Sequence, residues 1–183
     1  MITHGNRAAR SYFTAHPLAG DWSLCLEKDL LAPIPSSASL SPNTPESISA
    51  IERVTQAFLA TPQLDLVTEH VLHGGMYART IRMPAGYALT GALIKIPTIL
   101  IINGDAGVWG NDGWRRVQGY TVLAGSAGRK MLCFCKSAVE MTMLFPTKAQ
   151  TVDEAEQEFT DDWARLLSRK STSDIFTITG EQP

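Results

Sequence analysis

With 183 residues, 44% of them hydrophobic and 19% charged, the chain has enough apolar material for one well-buried core and too little length for two ordinary domains. A formal net charge of −2, with the lysines and arginines scattered rather than clustered, gives no basic face for nucleic acid. The longest apolar run, Ile96 to Ile102, contains Pro97 and is too short to span a bilayer, so no membrane partner is expected.

The N-terminus lacks the continuous apolar segment of a secretory leader. Cys25, Cys133 and Cys135 are an odd, sparse set rather than a disulfide framework, and both features predict an intracellular protein. Residues 1–44 read as an irregular extension, because Pro33, Pro35, Pro42 and Pro45 with a run of serines cannot continue a helix or a central strand. Tyr12, Phe13, Trp22, Leu24, Leu26, Leu30 and Leu31 offer apolar area that should anchor part of it. A helix is predicted over residues 45–62. Thr44 is its N-cap, Pro45 suits its first position, and Ile48, Ile51, Val54, Phe58 and Leu59 recur at helical spacing until Pro62.

Residues 63–147 change to strand signals. Seven short apolar or alternating runs (LDLVTEHVL, MYARTIRM, YALTGALIKI, TILIIN, VQGYTVLA, KMLCFC and VEMTMLFP) are separated by HGG, PAG, NGDAG, GNDG and AGSAG, which read as turns. Strands at that spacing mean a sandwich or a small barrel. In residues 148–183, Thr151 and Glu154 form a capping box, and Ala155, Phe159, Trp163, Leu166 and Leu167 make the apolar stripe of a C-terminal helix. The fold class is therefore mainly β, a single barrel with a helix on either side.

The order of helix, His70, Gly75, Tyr77, Ala78 and Arg79, then Pro84, Ala85 and Gly86, then Gly91, Gly104 and Gly128, resembles a cupin-type jelly roll. More narrowly, it is similar to a family of small cupin-like proteins encoded by tailed bacteriophages and prophages. The resemblance covers roughly residues 46–161. It implies a homo-oligomer, dimer or higher, placed in the host cytoplasm or the virion, with other phage proteins as further partners. It also assigns metal-ligand slots, and these fall on Ala92, Ile94, Thr98 or Ile99, and Met131, with Phe145 where relatives carry a last His.

That set cannot hold a borderline divalent ion, which needs imidazole, carboxylate or thiolate donors. Strand alternation puts Ala92 and Ile94 on one face and Met131, Cys133 and Cys135 on another. If both faces point inward, the slots line a dry, packed core rather than a reaction centre, and no cofactor is expected. The C-x-C pair reads as buried thiols behaving as small hydrophobes, against a soft-metal or redox alternative. His70 reads as a structural histidine at the barrel rim, with His73 pointing the other way. His4 and His16 show no partner pattern. No Ser, His and Asp arrangement supports nucleophilic catalysis.

Tyr77, Arg79, Arg82, Trp109, Trp114, Arg115, Arg116, Arg129 and Lys130 form an aromatic and cationic set near strand ends. Either they cover apolar edges with polar tips in water, or they bind an acidic partner or nucleotide. Three functions remain in play. The leading one is a non-catalytic, metal-free structural or interaction module of phage origin. The second is a protein that sequesters a small anionic ligand. The third is a metal-dependent cupin isomerase or dioxygenase, which the slots oppose.

Overall fold

The structure, a computed structural model, describes residues 14–17, 34–35, 38–111, 113–166 and 173–179. The proposed anchors Tyr12, Phe13, Trp22, Leu24, Leu26, Leu30 and Leu31 lie outside those residues, as do His4, Cys25 and Leu167. Two stretches of the N-terminal extension are strands rather than irregular chain. β1 (Thr14–Pro17) pairs antiparallel with β5 (Tyr87–Thr90), and β2 (Ser39–Leu40) pairs parallel with β7 (Gly113–Gly125). The prolines flank β2 without entering it, and the open edges of β5 and β7 supply the backbone partners that a lone extended segment lacks.

α1 (Pro45–Leu59) starts as its sequence predicts, with Thr44 Oγ1 accepting from the Ser47 N–H at 3.2 Å. It stops at Leu59, earlier than expected, because the residue before Pro62 is pushed out of helical geometry and the chain turns at Ala60 and Thr61. Ile51, Thr55 and Phe58 are its buried face. They pack with Ala88, Leu132, Trp109, Trp114 and Phe134 in a small core of their own.

The sheet continues with β3 (Thr68–His73), β4 (Met76–Met83), β6 (Thr98–Gly110), β8 (Leu132–Cys135), β9 (Val139–Pro146) and β10 (Ile175–Ile178). Its order is β1-β5-β8-β6-β9-β4-β3-β10, with β2 and β7 branching from β6. β6 is the axis. It pairs with β7 along its whole length, with β9 through Ile99–Asn103, and with β8 through Ala106–Trp109. NGDAG, expected as a turn, is therefore strand, and the change of partner from β9 to β8 falls within it. Gly104 has φ +138° there, and a Cβ would strike the Ala138 carbonyl, so only glycine lets the two chains approach. GNDG is the hairpin turn it was expected to be, since Gly110 faces Gly113 across it.

α2 (Val152–Phe159) carries the expected capping box, Thr151 with Glu154. It is half the expected length. Thr160 is extended, a short 3-10 turn covers Trp163–Arg165, and Ile175–Ile178 leave helical structure to add β10 parallel to β3. Paired short polar residues at Asp161 and Asp162 favour that break over a continued helix. Val152, Ala155 and Phe159 join the main core, where Phe159 meets Tyr77 and Phe145. The expected class, mainly β with a helix before the barrel-like sheet and another after it, is the observed one. Among the described residues no helix is long and apolar enough to cross a membrane.

Candidate functional site

Alternation on β4 sends Tyr77, Arg79, Ile81 and Met83 to the core face, so one of four inward positions is an arginine. On β9 the same rule points Met141 and Met143 inward, and on β6 it points Leu100. Of these, Arg79, Ile81, Leu100, Met141 and Met143, with Ala92, Ile94, Met131 and Arg129, line a half-open cavity of about 60 Å³. The former metal slots Ala92, Ile94 and Met131 do meet there. The packed core expected around them is instead a cavity holding two guanidinium groups, large enough for a few waters or a small ligand.

The cavity departs from expectation in two further ways. Cys133 and Cys135 face the main core and do not line it. Their side chains hydrogen-bond each other, and that contact together with full burial pushes the Cys133 thiol up from its ordinary value, as expected of inert thiols. Met131 is only half-buried, because its residue stands at the mouth of the cavity and not in a dry interior.

The two arginines are treated differently. Arg79 Nη1 lies 2.6 Å from Glu156 Oε1 of α2, with both side chains buried. Arg129 is 6% exposed, and among the described residues no carboxylate pairs with it. Its Nη1 donates to the Ser126 carbonyl at 2.7 Å and its Nη2 to Thr98 Oγ1. Burial alone pushes its guanidinium down to about 10, with no neighbouring charge opposing the shift. The backbone around it is pinned by Ile94 N–H to the Arg129 carbonyl at 2.8 Å and Gly128 N–H to the Ile94 carbonyl at 2.7 Å. A Cβ on Gly125 would fall on the guanidinium itself, so the bare backbone at that position is the surface on which Arg129 lies.

The remaining aromatic and cationic residues disperse. Arg82, on the opposite face of β4 from Arg79, pairs at the surface with Glu69 at 2.9 Å and Glu140 at 3.2 Å. Arg116 makes a two-pronged pair with Asp105. Trp109 and Trp114 are half-buried under α1, and Tyr77 is a core residue. Lys130 Nζ lies 3.3 Å from Glu52 of α1, and burial draws its ammonium down despite that partner.

His70 is fully buried rather than at the rim, because β10 covers β3. Its Nδ1 contacts Tyr77 Oη at 2.8 Å, its Nε2 is 3.6 Å from Asp174, and its ring stacks on Phe176. His70 therefore sits inside the sheet and not at the rim that the sequence suggested. Sequence reasoning missed Glu156, Gly125, Met141 and Met143. β9 alternation alone could have found the two methionines.

A metal of the kind that cupin barrels imply does not fit these residues. The cavity presents two cationic groups and thioethers, which repel or hardly ligate a divalent ion. Among the described residues no three His, Cys, Asp or Glu side chains come together in position to hold one. What the arrangement does suit is an anion. A guanidinium held in an apolar chamber without a counter-charge gains more from a carboxylate or similar group than it would in water.

No family model matches the chain, and no curated protein matches it. Among solved structures it is similar to a cupin-2 domain containing protein from Shewanella frigidimarina, at 9% identity and a TM-score of 0.37, over 51% of this chain and 91% of that one. A protein from Neisseria meningitidis is similar at 11% identity and a TM-score of 0.36, over 50% of this chain and 95% of that one. Both likenesses concern the fold alone.

Proposed function

We propose that the barrel is a non-catalytic binding module for a small monoanion with an apolar body, of the aliphatic carboxylate class. One observation carries this reading: Arg129 lines a methionine- and isoleucine-walled cavity with no carboxylate of the described chain set against it. The bound anion supplies the missing charge, and its hydrocarbon body takes the place of water against Ile94, Leu100, Met141 and Met143. The methionines adapt to the shape of that body. A phage or prophage setting, in the host cytoplasm or on the virion, follows the sequence resemblance.

The test is calorimetric titration with acetate, butanoate, pentanoate and hexanoate at fixed ionic strength. Affinity should rise about fourfold per added methylene until the cavity is full, the increment of about 0.8 kcal/mol that burying one CH₂ brings. Arg129→Met should abolish binding of the whole series. Binding that is equally strong to that variant, or absent from the wild type, overturns the reading.

A scaffold role in a homo-oligomer is the second reading. It is favoured by Ile175, Phe176 and Ile178, each at least half exposed on the edge strand β10. Native mass spectrometry of gently purified protein reads subunit number and retained ligand in one spectrum. A ligand-free oligomer favours the scaffold, and a monomer retaining a carboxylate favours the binding module.

A further inference from the structure

Arg129 also forms one wall of a second cavity, about 50 Å³, outside the barrel. It lies where the end of the β6–β7 hairpin meets the segment that follows β2. Arg115 and Lys130 line it with Arg129, and among its described lining residues there is no carboxylate. Lys130 is engaged by Glu52, but Arg115 makes no ion pair with any described residue. Two guanidinium forks, with no carboxylate against them among the described residues, therefore open on one small space beside an ammonium group.

The walls of that space are fixed by the chain itself. Asn111 at the hairpin tip accepts from the Thr44 N–H at 2.9 Å and donates to the Pro42 carbonyl. Asn43 donates its N–H to the Gly128 carbonyl at 2.9 Å and accepts from the Lys130 N–H at 2.6 Å. These bonds tie residues 42–44 across the cavity, and Arg129 and Lys130 are held by their own partners, so that part of the site is in place before any ligand arrives. Ser39 and Ser41 add hydroxyl groups at the open side. The barrel cavity is apolar apart from its two arginines. This second space also has apolar walls, from Ile34, Leu40, Val108, Trp109 and Met131, but it gathers three cationic side chains with two asparagines and two serines, which suits a compact, multiply charged oxyanion better than a hydrocarbon chain.

We propose that this cavity is a site for a phosphate-type oxyanion, free or as a phosphomonoester, held between the guanidinium groups of Arg115 and Arg129. It shares Arg129 with the barrel reading but does not depend on it, since Arg115 serves only the outer cavity and Ala92 only the inner one.

The experiment titrates the full chain with inorganic phosphate and with ribose 5-phosphate, against sodium chloride at matched ionic strength, by calorimetry and thermal melting. Phosphate should bind and raise the melting temperature where chloride does not, and Arg115→Met should weaken it about tenfold or more, the loss expected of a charge-assisted pair. That variant should keep carboxylate binding in the barrel. Ala92→Leu, which adds three carbons to the barrel cavity, should block the carboxylates and leave phosphate affinity within about twofold of wild type, because Ala92 does not line the outer cavity. Tighter binding of the inorganic ion assigns the free anion, and tighter binding of ribose 5-phosphate assigns the ester. Phosphate that does no more than chloride, or that binds Arg115→Met as well as wild type, overturns the proposal. Phosphate binding without carboxylate binding sinks the barrel reading and leaves this one standing.

Discussion

Replacing Arg129 with methionine should make the unliganded protein more stable. The guanidinium is pushed well below its ordinary value, to about 10, by burial alone. At about 1.36 kcal/mol per decade, holding that charge in the folded state costs about 3 kcal/mol. Against this stand its hydrogen bonds to the Ser126 carbonyl and to Thr98, each contributing about 1 kcal/mol. Methionine fills most of the same volume with an apolar chain, so the net expectation is a gain of about 1 kcal/mol. A base whose folded value lies below its unfolded one gives a penalty present at every pH below about 10. The penalty is relieved only as pH climbs above about 10 toward the ordinary guanidinium value. A pH scan between 5 and 9 therefore leaves it untouched, and substitution is the informative perturbation. The assay is urea denaturation at pH 7 in chloride buffer free of carboxylates and phosphate, where the gain reads as a rise of about 0.5 M in midpoint at unchanged slope. Adding pentanoate at about a hundred times its dissociation constant should stabilise only the wild type, by about 2.7 kcal/mol, and reverse the order. A variant that loses 1 kcal/mol or more without ligand would refute the uncompensated charge and the binding function built on it.

Three other outcomes follow from the same geometry. Gly125→Ala should cost about 1–3 kcal/mol and lose carboxylate binding, because the new methyl displaces the Arg129 guanidinium without straining a backbone that is not left-handed at this position; combining it with Arg129→Met should recover the lost stability, and a purely additive double variant would contradict the contact. Glu156→Ala should destabilise by about 3–5 kcal/mol in urea by leaving Arg79 buried without that carboxylate, whereas Arg79→Met with Glu156→Leu should melt close to wild type; a mild single variant would mean that water replaces the pair. The Cys133 thiol, held above its ordinary 9.0 by its contact with Cys135 and by burial, stays neutral in the folded state, so stability should fall as pH rises past about 9, where the unfolded thiol ionises, and Cys133→Ala should flatten that decline in a urea series from pH 7 to 10.5.

Strand parity made much of the barrel legible. MYARTIRM fixes Tyr77, Arg79, Ile81 and Met83 on one face and Arg82 on the other, and both arginines sit where that pattern puts them. The sequence alone does not say which face is the inner one when each carries an arginine. Both faces alternate apolar with cationic residues, and only the partner elements decide. Arg82 finds two glutamates on neighbouring strands, and Arg79 finds Glu156, 77 residues away on a helix. Such long-range pairings leave no local periodicity to read. The same holds for β1, β2 and β10, which are too short to show alternation and exist because an open strand edge lies beside them. Of the residues assigned to metal slots, Ala92, Ile94 and Met131 share a cavity, whereas Thr98, Ile99 and Phe145 do not line it. Arg129 escaped that set because it sits in a turn-like stretch where no strand rule fixes its direction.

The contrast between the two buried arginines is what gives the barrel a functional character. Both lie in the same apolar chamber, and each faces the same desolvation cost. For Arg79 the fold supplies a carboxylate of its own, carried on α2, whose capping box and buried face fix its position. That is the solution expected of a charge whose purpose is to join two elements. For Arg129 the described residues supply dipoles, one carbonyl and one hydroxyl, and a bare glycine backbone on which the guanidinium rests. Those contacts orient the group without neutralising it. A purely structural role would favour replacing Arg129 by an aliphatic residue, which would be more stable. A charge that is oriented, desolvated and set between two cavities is what the proposed binding function requires, since there the counter-ion comes with the ligand.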